Sequence, residues 1–162
     1  MKKKATKKLL HLWTGELTAA ILFIFLWVLY ARMFEWTEPY LLTLSPLYAF
    51  VLLEFILLQG TLYWFLQWRK IREGKEASLS FRQLRLFSFF KKLNWLLLLI
   101  GPLLLVSSSN NLGWFLFLYI FALVEQVNYY HIRLSYQSTD EIKEFIQQRG
   151  FRRSRLAKEL SK

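Results

Sequence analysis

Lysine and arginine are excluded from two long stretches of this sequence, and no other feature restricts its fold as much. After Lys2, Lys3, Lys4, Lys7 and Lys8 the only basic residue before Arg69 is Arg32, and none falls between Leu93 and Ile132. Cations are not scarce, since the 162 residues carry a net charge of +11. A basic water-soluble domain, such as one that binds nucleic acid, mixes its cations into an alternating apolar pattern. Chain that enters hydrocarbon has to leave them outside. With 55% of its residues in the AVILMFWYC set the chain is not disordered either. It has no cysteine, which removes disulfide scaffolds, thiolate zinc sites and cysteine nucleophiles.

A helix of about 20 residues, rising ~1.5 Å per residue, covers a hydrocarbon core of ~30 Å, so each stretch has room for two crossings. Polar breaks at Glu35 to Pro39 and at Ser107 to Asn111 divide them. The expected spans are residues 17–34, 46–68, 93–109 and 112–131. Ser45 and Pro46 suit the N-cap and first helical position of the second span. The fold class is therefore all-α, an integral membrane four-helix bundle over residues 1–134, with a loop at 69–92 and a basic helical tail at 135–162. Four crossings place both termini and the loop on one side, together with every basic residue except Arg32. The positive-inside rule makes that side the cytoplasm. Trp13, Trp36, Trp68, Trp95 and Trp114 fall near span ends, where amphipathic rings meet headgroups. Tyr30, Ala31, Arg32 and Met33 follow the first span in place of a small-residue cleavage site, so it reads as a retained anchor and not a signal peptide.

Two segments outside the spans carry pattern. Phe81, Leu84, Phe87, Phe90 and Leu93 recur every three residues among Arg82, Arg85, Lys91 and Lys92, which suits an amphipathic helix at the inner interface leading into span three. The alternation over Ser78, Leu79, Ser80 and Phe81 leaves a short strand open. In the tail, Ser138 to Glu141 has capping-box spacing, Ile142, Phe145 and Ile146 share a helical face, and Gly150 ends it. Beyond lie Arg152, Arg153 and Arg155, with Leu156 and Leu160 one turn apart. Cations beside a bilayer gain about 1 kcal/mol each from anionic lipid. Arg82, Arg85, Lys91, Lys92, Arg152, Arg153 and Arg155 are accordingly expected to contact lipid headgroups. No nucleic-acid partner is expected, because no stacking platform or RNA-binding motif accompanies the arginines.

Glu54 falls near mid-membrane in span two, where an acidic residue costs roughly 2.5 to 3.5 kcal/mol. It must face the bundle or a wet cavity, or carry a proton. Gln59, Gly60 and Thr61 follow, with the small and amide side chains of close helix packing. In span four, Glu125, Asn128 and Tyr129 share a face, while His131 lies some 120° from Glu125 on an ideal helix. Glu54, Gln59, Glu125, Asn128, Tyr129 and His131 thus form either an ion or proton site between spans two and four, or a structural polar core meeting interfacial water. Arg32 can snorkel outward with Glu35 as its partner, and Gly101 with Pro102 should kink or open span three. There is no P-loop, GxSxG, HExxH or run of metal ligands, so no catalytic residue, metal site or cofactor is assigned.

The stretch Glu125, Gln126, Val127, Asn128, Tyr129, Tyr130, His131, Ile132, Arg133, Leu134, with Arg152 to Leu156 downstream, resembles the end of uncharacterised small four-span membrane proteins of Gram-positive bacteria. That resemblance implies a bacterial plasma membrane and carries over no activity or site. Three functions follow as expectations. The first is a non-enzymatic bundle associating with itself or a membrane complex and touching anionic lipid. The second is a small proton- or cation-linked transporter subunit using Glu54, with or without Glu125. The third is lipid chemistry around Glu125, Asn128 and His131.

Overall fold

A computed structural model describes residues 2–33, 41–105, 112–134 and 152–161. Helices α1 (Lys2–Met33), α2 (Leu44–Arg72), α3 (Phe81–Leu105) and α4 (Leu112–Tyr130) form the bundle, and a short α5 (Arg155–Leu160) follows. The four long helices are each long and apolar enough to cross a membrane. No strand occurs among the described residues beyond one isolated antiparallel bridge, Ile132 with Arg153.

The burial pattern makes α2 the central helix. Most of its apolar span is covered, against small fractions of α1, α3 and α4, and it packs on all three. Its α1-facing stripe is set by aromatic contacts: Phe50 stacks on Trp27 at 4.2 Å, and Phe65 and Trp68 meet Trp13 at 5.6 and 5.8 Å. The outward faces stay apolar and bare, as at Ile21, Phe25, Leu99, Leu103 and Phe117. In water so large an apolar surface would aggregate; in lipid tails it has nothing to hide from.

α3 runs through Pro102, which has no N–H for the carbonyl of Leu98 four residues back. The hydroxyl of Tyr119 on α4 donates to that carbonyl instead, at 2.5 Å. Gly101 makes room for it, since a Cβ there would lie 2.5 Å from the Tyr119 ring. Tyr48 from α2 likewise donates to the Leu97 carbonyl at 2.7 Å. Tyr119 thus supplies the hydrogen bond that Pro102 removes from α3.

Several boundaries differ from those read in the sequence. α1 starts at Lys2, well before residue 17, because the lysine-rich segment forms helix readily and hydropathy marks the membrane limit, not the helix limit. α2 begins two residues before Pro46 with Thr43 in the N-cap position, and Ser45 donates to the Leu104 carbonyl instead of capping. The amphipathic segment from Phe81 is the first part of α3 itself, with no break at residue 93 and no strand at 78–81. Its apolar stripe enters the core: Phe87 is fully buried against Tyr63, and Phe90 meets Phe55. The stop and start around it are local chemistry. Gly74 at φ 79° closes α2, and the Ser80 N–H donates to the Gln83 side chain in a capping-box arrangement that opens α3. The breaks at Glu35 to Pro39 and Ser107 to Asn111, the Ser138 capping box, the helical face of Ile142, Phe145 and Ile146, and Gly150 lie outside the described residues.

Candidate functional site

The helices bring polar side chains together at three levels. At the first, Gln59 of α2, Asn94 of α3 and Gln126 of α4 meet, all at least nine-tenths buried. Gln59 and Asn94 exchange two amide bonds, at 3.0 and 2.8 Å. Asn94 also donates to Gln126 at 2.8 Å, and the Tyr130 hydroxyl donates to Gln59 at 2.6 Å. Gln126 in turn reaches the Lys91 carbonyl at 3.4 Å. A bonded amide network of this kind fixes the rotation of three helices against each other.

At the second level Glu54 is 7% exposed, and neither carboxylate oxygen has a hydrogen-bond partner among the described residues. Phe50, Glu54, Thr61, Phe65 and Trp68 fall within a sector of about 60° on an ideal helix. Phe50, Phe65 and Trp68 in that sector touch α1, so Glu54 belongs to the α1-facing stripe. The Thr61 hydroxyl, also on the stripe, is spent on the Leu57 carbonyl at 3.1 Å. A carboxylate so placed is stable as the neutral acid or against a cation, because an unpaired charge in an apolar contact costs several kcal/mol (~2 to 7 for even a neutral polar group).

The third level is the end of the bundle where the start of α1, the 73–80 turn, the end of α4 and α5 converge. Gly60 lets the Tyr129 ring lie flush against α2, for a Cβ there would come within 2.3 Å of the ring. Tyr129 then donates a short hydrogen bond to Glu16 on α1. α5 is docked on the same end. Ser154 N–H donates to the His131 carbonyl at 3.0 Å, and its hydroxyl accepts from Ala157 N–H at 3.0 Å as the N-cap. Leu156 is buried. Glu159 accepts from Tyr63, Gln67 and the Leu79 N–H at 2.8 to 2.9 Å, which ties the tail to α2 and to the loop. Between these parts lies a cavity of about 290 Å³ whose polar lining includes Lys8, Glu16, Asn128, Tyr129, Arg133 and Arg155.

The residues singled out from sequence are therefore divided among separate jobs. Gln59 is in the amide network, and Glu54 stands apart from it on another face. Glu125 accepts from Asn128 at 3.2 Å, and Asn128 accepts the Leu134 N–H at 2.9 Å, an end cap for α4. Tyr129 turns to Glu16 and not to Glu125 for its hydrogen bond. His131 sits just past α4, where Trp95 donates to its Nε2 at 3.3 Å, and burial followed by the nearby Lys91 ammonium holds the imidazole below its usual pKa. Among the basic residues, Arg82 and Lys92 are exposed, Arg85 lies over the Phe81 ring, and Lys91 contributes its carbonyl to the network. Arg153 pairs with Ile132, Arg152 gives its carbonyl to Arg133, and Arg155 bonds the Ala77 carbonyl at 3.0 Å, so the tail arginines pack on the bundle end.

Sequence reasoning missed Glu16, Asn94 and Glu159. Each stands at or beyond an expected span edge, where a polar residue attracts no notice; only the helix partners reveal them. Comparison with protein-family models, curated proteins and solved structures finds no match, so the site is read from its own geometry.

Proposed function

We propose that the chain is a non-enzymatic multipass protein of a bacterial plasma membrane, both termini cytoplasmic, acting by helix association with itself or a membrane complex while its basic end rests on anionic lipid. The observation that carries this reading is the convergence of Lys8, the 73–80 turn and α5 at one end of four apolar helices. Basic residues are rare at the opposite end, as the positive-inside rule requires of an outer face. The resemblance to small four-span proteins of Gram-positive bacteria supports the choice of membrane. Bare apolar faces on α1, α3 and α4 are available to a second copy or a membrane partner as well as to lipid.

The lack of native cysteine gives a direct test. Lys75→Cys should resist an impermeant thiol reagent on intact cells and react after lysis, whereas Leu42→Cys, at the other end, should react on intact cells. The reverse pattern overturns the orientation. Crosslinking in membranes that yields only monomer, with no copurifying protein, would overturn the association. A second reading, a proton- or cation-linked subunit, is favoured by Glu54 having no partner among the described residues. Glu54→Gln in proteoliposomes tests it: flux that the substitution abolishes supports the reading, and flux that it leaves intact ends it.

A further inference from the structure

We propose that the cavity at the basic end is a binding site for a phosphate ester, the headgroup of an anionic phospholipid from the adjacent leaflet. This rests on the membrane reading above and gives the basic end a specific ligand.

Three features argue for it together. First, the cations come from three separate elements: Lys8 from α1, Arg133 from the segment after α4 and Arg155 from α5. Charges that merely follow a basic helix would share one face; these converge because the tail folds back. A phosphate with several acceptor oxygens suits such a set, and guanidinium groups suit it best. Second, the wall also has an apolar part, with Leu9, Leu12, Trp64, Ile71 and Leu156. A site for a free ion has no use for these, whereas the glycerol backbone and first methylenes of a lipid do. Trp13, Phe65 and Trp68 form an aromatic cluster at the same end, which sets its level at the headgroup region.

Third, the lining contains one carboxylate. Glu16 accepts from Tyr129 through one oxygen, and no hydrogen bond to its other oxygen occurs among the described residues. Beside three cations, that acceptor matches a donor attached beyond the phosphate, such as a glycerol hydroxyl. The volume of about 290 Å³ equals about ten waters at ~30 Å³ each, enough for a phosphate and a three-carbon polyol. Glu16 thus reads as a selector of the headgroup and Lys8, Arg133 and Arg155 as its anchors.

The test uses the full chain in a neutral detergent, with Trp64 in the cavity wall contributing to the fluorescence signal. The probes are short-chain phosphatidylglycerol, phosphatidylcholine with the same chains, and glycerol 3-phosphate. Saturable binding of phosphatidylglycerol is expected, about tenfold tighter than phosphatidylcholine, with Lys8→Gln and Arg133→Gln each weakening it about tenfold. Arg82→Gln, a cation outside the cavity, should change nothing. Lys8 is exposed, so its substitution does not endanger the fold. Glycerol 3-phosphate binding as well as the lipid would mark the source as a soluble phosphate ester, and binding by the lipid alone marks a headgroup; both keep the phosphate-ester site. Equal binding of the two lipids, no saturation, or equal weakening by Arg82→Gln and Arg133→Gln overturns it. Binding in detergent is blind to sidedness, so failure here leaves the orientation to the cysteine test, and the converse holds.

Discussion

Gln59 and Glu54 stand five residues apart on α2, about 7.5 Å along the axis, and both are more than nine-tenths buried. Their treatment is opposite. Gln59 faces α3 and α4, and its amide meets Asn94 and Tyr130. Glu54 faces α1, and its carboxylate has no partner among the described residues. An amide is both donor and acceptor, so amides on neighbouring helices can satisfy each other without charge. A carboxyl group needs donors, and the α1 stripe opposite supplies Trp27 stacked on Phe50 and Trp13 edge-on to Phe65. The difference separates a contact that specifies helix packing from one that costs stability and is retained for another reason.

The largest effect expected is at Asn94. Asn94→Leu removes three amide bonds and strands groups of Gln59 and Gln126 in an apolar core. Each orphaned group costs ~1 to 3 kcal/mol in general and each interhelical bond in a membrane ~0.6 on average, so a loss of about 2 to 4 kcal/mol is expected. Denaturant titration in mixed micelles measures it; an unchanged midpoint would mean that the network does not hold the bundle. Next is Gly60→Ala. The added methyl meets the Tyr129 ring at 2.3 Å, so the ring and its bond to Glu16 must move, at a cost of about 1 to 3 kcal/mol. Gly113→Ala, where a Cβ meets nothing within 4 Å, should instead gain ~0.5 to 1 kcal/mol. If the two substitutions behave alike, the close approach at Gly60 does not exist.

Glu54→Leu sharpens the comparison directly. It replaces an unpartnered acid with an apolar side chain of similar reach, and about 1 to 2 kcal/mol of added stability should follow, where Gln59→Leu should lower it. Equal destabilisation by both would show that Glu54 has a partner in the membrane.

Much of this contrast was open to a sequence reader and part was not. The four apolar helices, the cost of Glu54 and the polarity of Gln59 follow from hydropathy and charge placement, because exclusion of cations acts on each residue alone. The hydrogen-bond partners of Asn94 and Glu159 stand 32 or more positions away, and single-helix periodicity holds no record of such partners. The tail arginines were legible as basic but not as docked, since docking depends on Glu159 reaching Tyr63, Gln67 and Leu79. Likewise Ser45 before Pro46 has the form of a cap, yet the α3 carbonyl at Leu104 takes its hydroxyl.

The smallest effect is a pH dependence at His131, just past the end of α4. Burial, and secondarily the Lys91 ammonium, lowers its pKa in the folded chain below the usual value of about 6.5. Between the lowered value and ~6.5 the unfolded chain binds a proton that the folded chain does not, so stability rises with pH through that window. The contribution is complete above ~6.5 and is lost as pH falls toward and through the folded value. Partial exposure keeps it well under ~1 kcal/mol. The same proton turns Nε2 from acceptor to donor, which ends the bond from Trp95 at 3.3 Å. A fluorescence change between pH 8 and 5 should therefore vanish in both His131→Gln and Trp95→Phe. Should His131→Gln leave the change intact, it arises from another group. The acid response of the amide network, which titrates nowhere in this range, should stay flat, so a coincident loss of the Asn94 contribution would mean that the network and His131 are coupled through Lys91, whose carbonyl binds Gln126 and whose ammonium acts on His131.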